Sequence, residues 1–189
     1  MILRHAMLKD AAIIRQIAID VNISIDSSEE TGFVEYPIPD EEEYLQMIKK
    51  SKYFYVAESD KKIVGFLSGF TYEYLQTHLD KEDELEQFLL KKNRDFIYLD
   101  QLAVIKEYRR KGIGKKLIQQ LITDSIKEGY KTFIAVVCCR EGKQNYSVNL
   151  LQSLDFKLIG EKTISNGLKF EIYKKRADGR TRTCGERDL

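Results

Sequence analysis

Two glycines and a run of cations sit where an apolar stretch ends. After Leu102-Ala103-Val104 come Ile105-Lys106-Glu107-Tyr108, then Arg109-Arg110-Lys111-Gly112-Ile113-Gly114-Lys115-Lys116. Glycine lacks Cβ, so Gly112 and Gly114 let a large anion come close to the backbone. Ile113, Leu117, Leu121 and Ile122 then recur at intervals of about one turn. A helix opened here presents unpaired N–H groups and the positive end of its dipole. Basic residues at a helix start oppose that dipole unless an anion is expected. Arg110, Lys111, Lys115 and Lys116 beside that start therefore describe a pyrophosphate cradle. The bland alternative is a generic strand–turn–helix with a basic N-terminus.

The better-known phosphate loops do not fit. A Walker A loop needs Gly-x-x-x-x-Gly-Lys-Ser/Thr, which is missing, and a dinucleotide fingerprint needs a third glycine where Leu117 stands. Other chemistries are poorly provided for. Cys138 and Cys139 are adjacent at the end of an apolar run, where thiols are usually inert, and Cys184 lies in a polar stretch. Cys-x-x-Cys and His-x-x-x-His spacings are absent, and His5 and His78 are far apart, so no metal site is expected. Reduced thiols in a cytoplasmic protein are the simplest reading.

The elements that must position the loop follow from periodicity. Ile2–His5 reads as a strand and Asp10 as the N-cap of a helix with Ile13, Ile14, Ile17, Ala18 and Val21 on one stripe. Residues 23–39 read as loop. Asp40 starts a second helix with Tyr44, Leu45 and Ile48 inside. Residues 53–57 and 63–70 form a hairpin with a four- or five-residue connection. Residues 79–92, with Leu85, Phe88 and Leu89 at helical spacing, read as a helical insertion. Phe96–Val104 is a buried strand, followed by the helix from Gly112 with Gly129 as its C′ residue. A strand at 132–138, a helix at 144–153 and strands near 156–160 and 168–173 complete an α/β (α+β) order.

The chain has 189 residues, 43% hydrophobic and 32% charged, with a net charge of +1. That suits one domain over residues 1–175, followed by a polar tail from 176 to 189 with no apolar period. A charge near zero encodes no global pull toward nucleic acid or membrane, so an anion site must be local. The start has no signal-peptide pattern, and no apolar run approaches the ~18–20 residues that span a bilayer. The basic residues Lys174, Lys175 and Arg176 come with no motif that reads nucleic acid.

Arg-x-x-Gly-x-Gly after a strand ending Leu102-Ala103-Val104, within Tyr98-Leu-Asp-Gln-Leu-Ala-Val104, resembles the pyrophosphate loop of the GNAT superfamily of N-acetyltransferases. The resemblance covers roughly residues 1–174, with an extra helical insertion before the fourth strand. It implies a mixed, mostly antiparallel central sheet flanked by helices. It also implies an acetyl-CoA-dependent transfer of acetyl to a primary amine of a small molecule or peptide, by direct attack in a ternary complex. By the same resemblance, the backbone of Leu102, Ala103 and Val104 pairs with the pantetheine arm like an added strand. The loop Arg109, Arg110, Lys111, Gly112, Ile113, Gly114 and Lys115 holds the pyrophosphate. Asp100 stands where some members carry a catalytic carboxylate; it reads equally as a structurally hydrogen-bonded or solvent-facing Asp. Tyr98, on the same strand face, aligns a water in the alternative scheme. Homodimers are common among similar proteins.

The resemblance fails at the general acid. Aligning on Phe156 puts Gln144 at the family's Asn, Ser147 at its small residue, Leu151 at its proton-donating Tyr and Asp155 at its Gly. Leucine donates no proton, which keeps open a catalytically weak acyl-CoA-binding regulatory module. Asp155 tolerates the left-handed conformation that glycine favours. Asn145 or Asn149 is left to serve the pantetheine. On the acceptor side, Asp26, Glu29, Glu30, Glu35 and Asp40 to Glu43 suit a cationic amine, and equally a solvated loop and a first helical turn. Tyr72, Tyr74 and His78 read as pocket wall or as packing.

Overall fold

The computed structural model describes residues 1–30, 32–78, 83–143 and 145–178. In chain order the strands are β1 (Ile2–His5), β2 (Asn22–Ile23), β3 (Phe33–Val34), β4 (Tyr53–Ser59), β5 (Lys62–Thr71), β6 (Phe96–Val104), β7 (Thr132–Cys139), β8 (Lys157–Thr163) and β9 (Lys169–Arg176). The helices are α1 (Ala11–Val21), α2 (Glu41–Lys50), α3 (Tyr72–His78), α4 (Glu84–Lys92), α5 (Ile113–Lys127) and α6 (Tyr146–Gln152). Seven strands share one sheet in the order β1-β4-β5-β6-β7-β9-β8. The β6–β7 pair is parallel, while β1–β4, β4–β5, β7–β9 and β8–β9 are antiparallel. This is the mixed, mostly antiparallel α+β sheet expected.

The chain divides into two compact units, each built from two stretches of sequence. The first holds residues 1–69 and 100–124. One cluster of its core holds Ile14, Ile17, Ala18 and Val21 from α1, Tyr44 and Ile48 from α2, Phe54 and Val56 from β4, Phe66 from β5 and Ala103 from β6. Tyr44 meets Phe54 and Phe66 edge-on, at centroid distances of 6.5 and 6.3 Å, a geometry that aromatic quadrupoles favour. Gly65 sets how closely β5 approaches the end of β6. A Cβ there would lie 2.7 Å from the Ala103 carbonyl oxygen, too close for any side chain. The Ile105 N–H then bonds to the Val64 carbonyl at 3.0 Å, which fixes the chain as it leaves β6.

The second unit holds residues 70–99 and the described residues from 125 onward. The β6–β7 register runs from Phe96↔Thr132 to Leu99↔Ala135. Leu85 and Leu89 of α4 and Leu151 of α6 are buried, and Tyr72 packs edge-on against Phe96. Helix α5 closes with a Schellman turn. The Tyr130 N–H bonds to the Ser125 carbonyl and the Gly129 N–H to that of Ile126, with Gly129 at φ +96° as its C′ position requires.

Several expectations need correction. Ile13 is 42% exposed, and Ala11 takes its place on the buried face, because 11, 14, 18 and 21 follow the helical period. The Asp10 side chain does not cap α1. Its carboxylate instead accepts from the Met7 N–H at 2.8 Å and from both terminal nitrogens of Arg4 at 2.6 and 3.2 Å. The β4–β5 connection is two residues, Asp60 and Lys61, both at positive φ as a tight hairpin turn demands. Residues 23–39 include the short parallel bridge of β2 with β3. Of the helical insertion expected at 79–92, α4 covers Glu84–Lys92 and residues 79–82 lie outside the described residues, while a separate helix, α3, stands at Tyr72–His78. The start of α2 at Asp40 holds, with a reciprocal Asp40–Glu43 capping box.

Asp10 carries a stability prediction. Burial pushes its carboxyl up, but the Arg4 pair and the Met7 N–H outweigh this and hold it below its ordinary 3.8. A carboxylate depressed in the folded state contributes stability above the unfolded value, which is lost as pH falls through the folded one. Asp10→Asn should therefore lower stability by about 1–3 kcal/mol at pH 7. The deficit should shrink below pH 3.8, as denaturant titrations at pH 7 and 3 would show. An equal deficit at both values would mean that packing, not charge, is lost.

Candidate active site

Strand β6 leads straight into the basic loop. A 3-10 turn at Lys106–Tyr108 ends it, and Arg109 leaves in extended conformation. Arg110 then takes φ +59° and Gly112 φ +78°, two left-handed residues flanking Lys111. Alternation of this kind turns successive N–H groups to one side and makes an anion-binding concavity. The first helical bond runs from the Lys116 N–H to the Gly112 carbonyl at 3.1 Å. The N–H groups of Ile113, Gly114 and Lys115 thus lie in the first turn, with no partner inside the helix.

Exposure supports the same fit. Arg110, Lys111, Gly112, Lys115 and Lys116 are exposed, while the Ile113 side chain is buried at 3% and anchors the helix start. A Cβ built on Gly112 meets no protein atom within 4 Å. The left-handed backbone, rather than crowding, selects glycine there. The Lys111 ammonium sits 4.7 Å from the centre of the Tyr108 ring, which holds one cation at the loop. These residues suit a diphosphate.

Arg109 is placed differently from the rest. Its Nε donates to the Val104 carbonyl at 3.0 Å, and its Nη1 lies 3.5 Å from Glu29. The side chain thus braces the exit of β6, leaving its backbone to the loop. Lys106 joins the same carboxylate at 2.8 Å, and this pairing holds Glu29 below its ordinary range.

Asp100 is the second centre. Ser68 on β5, fully buried, donates its hydroxyl to Asp100 Oδ2 at 2.9 Å and accepts the Gln101 N–H at 3.1 Å. The Tyr36 hydroxyl lies 3.5 Å from Asp100 Oδ1 and receives Gln101 Nε2 at 3.2 Å. The Tyr44 hydroxyl donates to Gln101 Oε1 at 2.8 Å. Burial, and then the nearby charge of Asp100, pushes the Tyr44 hydroxyl up. It therefore stays protonated as a donor. Leu102 and Val104 alternate with buried Ala103 on the same strand.

Sequence reasoning missed Ser68 and Tyr36 because they reach Asp100 from distant segments, and Gln101 because only Tyr36 and Tyr44 bring its side chain into the cluster. A weak signal existed: Ser68 is the one hydroxyl inside the apolar run Ile63–Phe70.

Other expected residues lie in the second unit or outside the description. Tyr98 is buried at 4%, in register with Ile134. Asn145 uses both ends of its amide internally: Oδ1 caps α6 through the Ser147 N–H at 2.9 Å, and Nδ2 donates to the Cys138 carbonyl at 3.2 Å. Gln144 and residues 179–189 of the expected tail, with Cys184, lie outside the described residues. Leu151 is 4% exposed, so its position faces the core, and Asp155 takes φ +63°, the glycine-like turn. The Cys139 thiol is pushed up to about 11 by burial and then by Glu171.

Much of the acidic patch proves to be occupied internally. Glu29 pairs with Lys106 and Arg109, Glu35 accepts the Ile25 N–H, Asp40 and Glu43 cap α2, and Glu42 accepts from Gln46. Among the described residues, no group of three or more His, Cys, Asp or Glu is placed to hold a metal, and no helix is long and apolar enough to cross a membrane.

Comparison with known proteins decides the family. Residues 22–156 match the model of the acetyltransferase (GNAT) family. The chain belongs to this family. No curated protein matches the sequence. Among solved structures, this GNAT chain resembles an N-acetyltransferase from Staphylococcus aureus Mu50 at 20% identity and TM-score 0.63, covering 93% of this chain and 97% of that one. It resembles a ribosomal-protein-alanine N-acetyltransferase from Brucella melitensis at 19% and 0.65, covering 93% and 99%. It also resembles yncA from Salmonella typhimurium, solved with its cofactor acetyl-CoA, at 16% and 0.65, covering 96% of each chain. At such identities the likeness is one of fold, and it matches the sheet of this GNAT acetyltransferase.

Proposed function

We propose that this acetyltransferase moves an acetyl group from acetyl-CoA to a primary amine of a small molecule or peptide, by direct attack in a ternary complex. The observation that carries the reading is the left-handed pair Arg110 and Gly112 at the start of α5, with Asp100 on the strand that leads to it. The co-substrate supplies an activated thioester. The N–H groups of the loop hold its diphosphate, and the backbone of Leu102, Ala103 and Val104 aligns its arm as an added strand.

Asp100 takes the proton that the amine nitrogen must lose as its bond to the carbonyl carbon forms and the carbon–sulfur bond breaks. The sulfur leaves as a thiolate and takes a proton from water, since Leu151 provides none. A protonated Cys139 is a poor nucleophile, which favours direct attack over an acyl-enzyme. The buried Leu151 also supports a second reading, a catalytically weak acyl-CoA-binding module.

A thiol-release assay with polyamines, aminoglycosides, amino acids and short basic peptides separates the two. Turnover on at least one amine is expected. Tight acetyl-CoA binding in calorimetry with no turnover on any of them would favour the binding module.

A further inference from the structure

We propose that Tyr36 is the positioning residue of the Asp100 carboxylate, held in place by the Asn22 side chain, and that it sets the pH at which Asp100 can accept a proton. The kinetic part of this inference rests on the reading of Asp100 as the base; the titration itself does not.

The direction of each hydrogen bond supports it. The Ser68 Oγ accepts the Gln101 N–H, so its one hydrogen goes to Asp100 Oδ2. Tyr36 receives an N–H from Gln101, so its own hydrogen is left for Oδ1. Gln101 is oriented in turn by the Tyr44 hydroxyl on its Oε1. These bonds run toward Asp100, and the two hydroxyls of Ser68 and Tyr36 end on its carboxylate oxygens. Donors aimed at a carboxylate favour its charged form.

The two oxygens are held unequally. Ser68 sits at 2.9 Å, while Tyr36 lies at 3.5 Å, the outer limit of a hydrogen bond. Oδ2 is therefore the oxygen that Ser68 holds closely, and Oδ1 is the one on which Tyr36 acts. Contacts of this kind are often long in a free enzyme and tighten when the reacting partners are in place.

The placement of Tyr36 is itself built. Asn22, just past the end of α1, donates Nδ2 to the Tyr36 carbonyl at 2.9 Å and accepts the Tyr36 N–H on Oδ1 at 3.1 Å. One side-chain amide thus satisfies both backbone groups of one residue, as a neighbouring strand would. Phe33 packs on the Tyr36 ring at a centroid distance of 5.2 Å. Charged and titratable groups that bear on the cluster include Tyr36 itself, Tyr44 and Glu43 from α2, and Arg15 from α1. Arg15 and Glu43 act on the Tyr44 hydroxyl with opposite signs.

The test reads Asp100 directly in the free protein. Carboxyl-carbon NMR, with the Asp100 signal assigned by its loss in Asp100→Asn, follows its titration in wild type, Tyr36→Phe and Asn22→Ala. Removing a donor to the charged form should raise the midpoint by about half to one pH unit in Tyr36→Phe. Asn22→Ala should shift it the same way by less, and the double variant no further than Tyr36→Phe alone. The acid limb of kcat/KM should move by the same amount, with acetyl-CoA affinity within twofold of wild type.

An unmoved midpoint in both single variants overturns the proposal. So does a double variant whose shift is the sum of the two, since Asn22 would then act by a separate route. A moved midpoint with an unmoved kinetic limb overturns the kinetic part and marks the failure of Asp100 as base instead.

Discussion

Gly112→Val should abolish measurable acetyl-CoA binding while leaving a folded protein. Gly112 sits at φ +78°, where any L side chain is strained, and a β-branched one most. Its Cβ would enter open space rather than a neighbouring atom, so the fold of the free protein has little to lose beyond that local strain of ~1–2 kcal/mol. In the proposed function the loop N–H groups face a diphosphate across this same open space, and a side chain there would stand in its way. Rotating the backbone out of the left-handed region would also turn those N–H groups off their target. We expect an affinity loss of at least ~100-fold, or ~3 kcal/mol, measured by calorimetry, with melting lowered by only a few degrees. Gly112→Ala should fall between the two. Unchanged affinity in the valine variant would remove the diphosphate assignment, and with it the donor.

The loop was readable because everything it needs is local. Two glycines, five cations and one helix start lie within the eight consecutive residues 109–116, and both the close approach of an anion and the dipole argument follow from that order. The same holds for α5, whose apolar residues keep the helical period through Leu121, and for β6, whose observed bounds match its apolar run. Where local signals compete, the reading failed. Ile13 and Ile14 are equally apolar, and only the phase set by Ile17, Ala18 and Val21 says which one is buried. Asp10 precedes a helix as an N-cap should, yet Arg4 on β1 offers its carboxylate a stronger, charged partner.

The Asp100 cluster marks a harder limit. Ser68 and Tyr36 lie 32 and 64 residues from Asp100 along the chain, and no periodicity connects them. Their meeting depends on β5 lying close against the outgoing end of β6 and on the segment after β3 being held by Asn22. Gly65 makes the first possible and an amide clamp makes the second. The acidic residues 26–43 show the converse. In sequence they form a patch that suits a cation, whereas several of them are satisfied by helix capping, by a backbone N–H and by Lys106 and Arg109. Acceptor choice therefore rests on fewer free charges than the composition of the segment suggests.

Asp100→Asn should depress turnover of an alkylamine by ~10²–10⁴-fold near pH 7, and by progressively less as pH rises. The sign follows from the amine. With an amine pKa of ~10.4, only about one molecule in a thousand is neutral at pH 7.4, and a carboxylate that accepts the departing proton relieves that shortage. Without it, log kcat/KM should climb with pH at close to unit slope until the amine itself is deprotonated, and the variant should approach wild type there. Asparagine also disturbs the cluster, because Ser68 and Tyr36 both direct hydrogens at position 100, and an amide NH2 must face one of them. That mismatch costs about 1–2 kcal/mol of stability, a loss that denaturant titration reads independently of the rate. Acetyl-CoA affinity should stay near wild type, since the diphosphate loop begins several residues beyond. A variant equally slow at every pH, or one whose profile overlays wild type, would leave Asp100 as a structural anchor for β5 and β6, and the amine would then have to arrive already neutral.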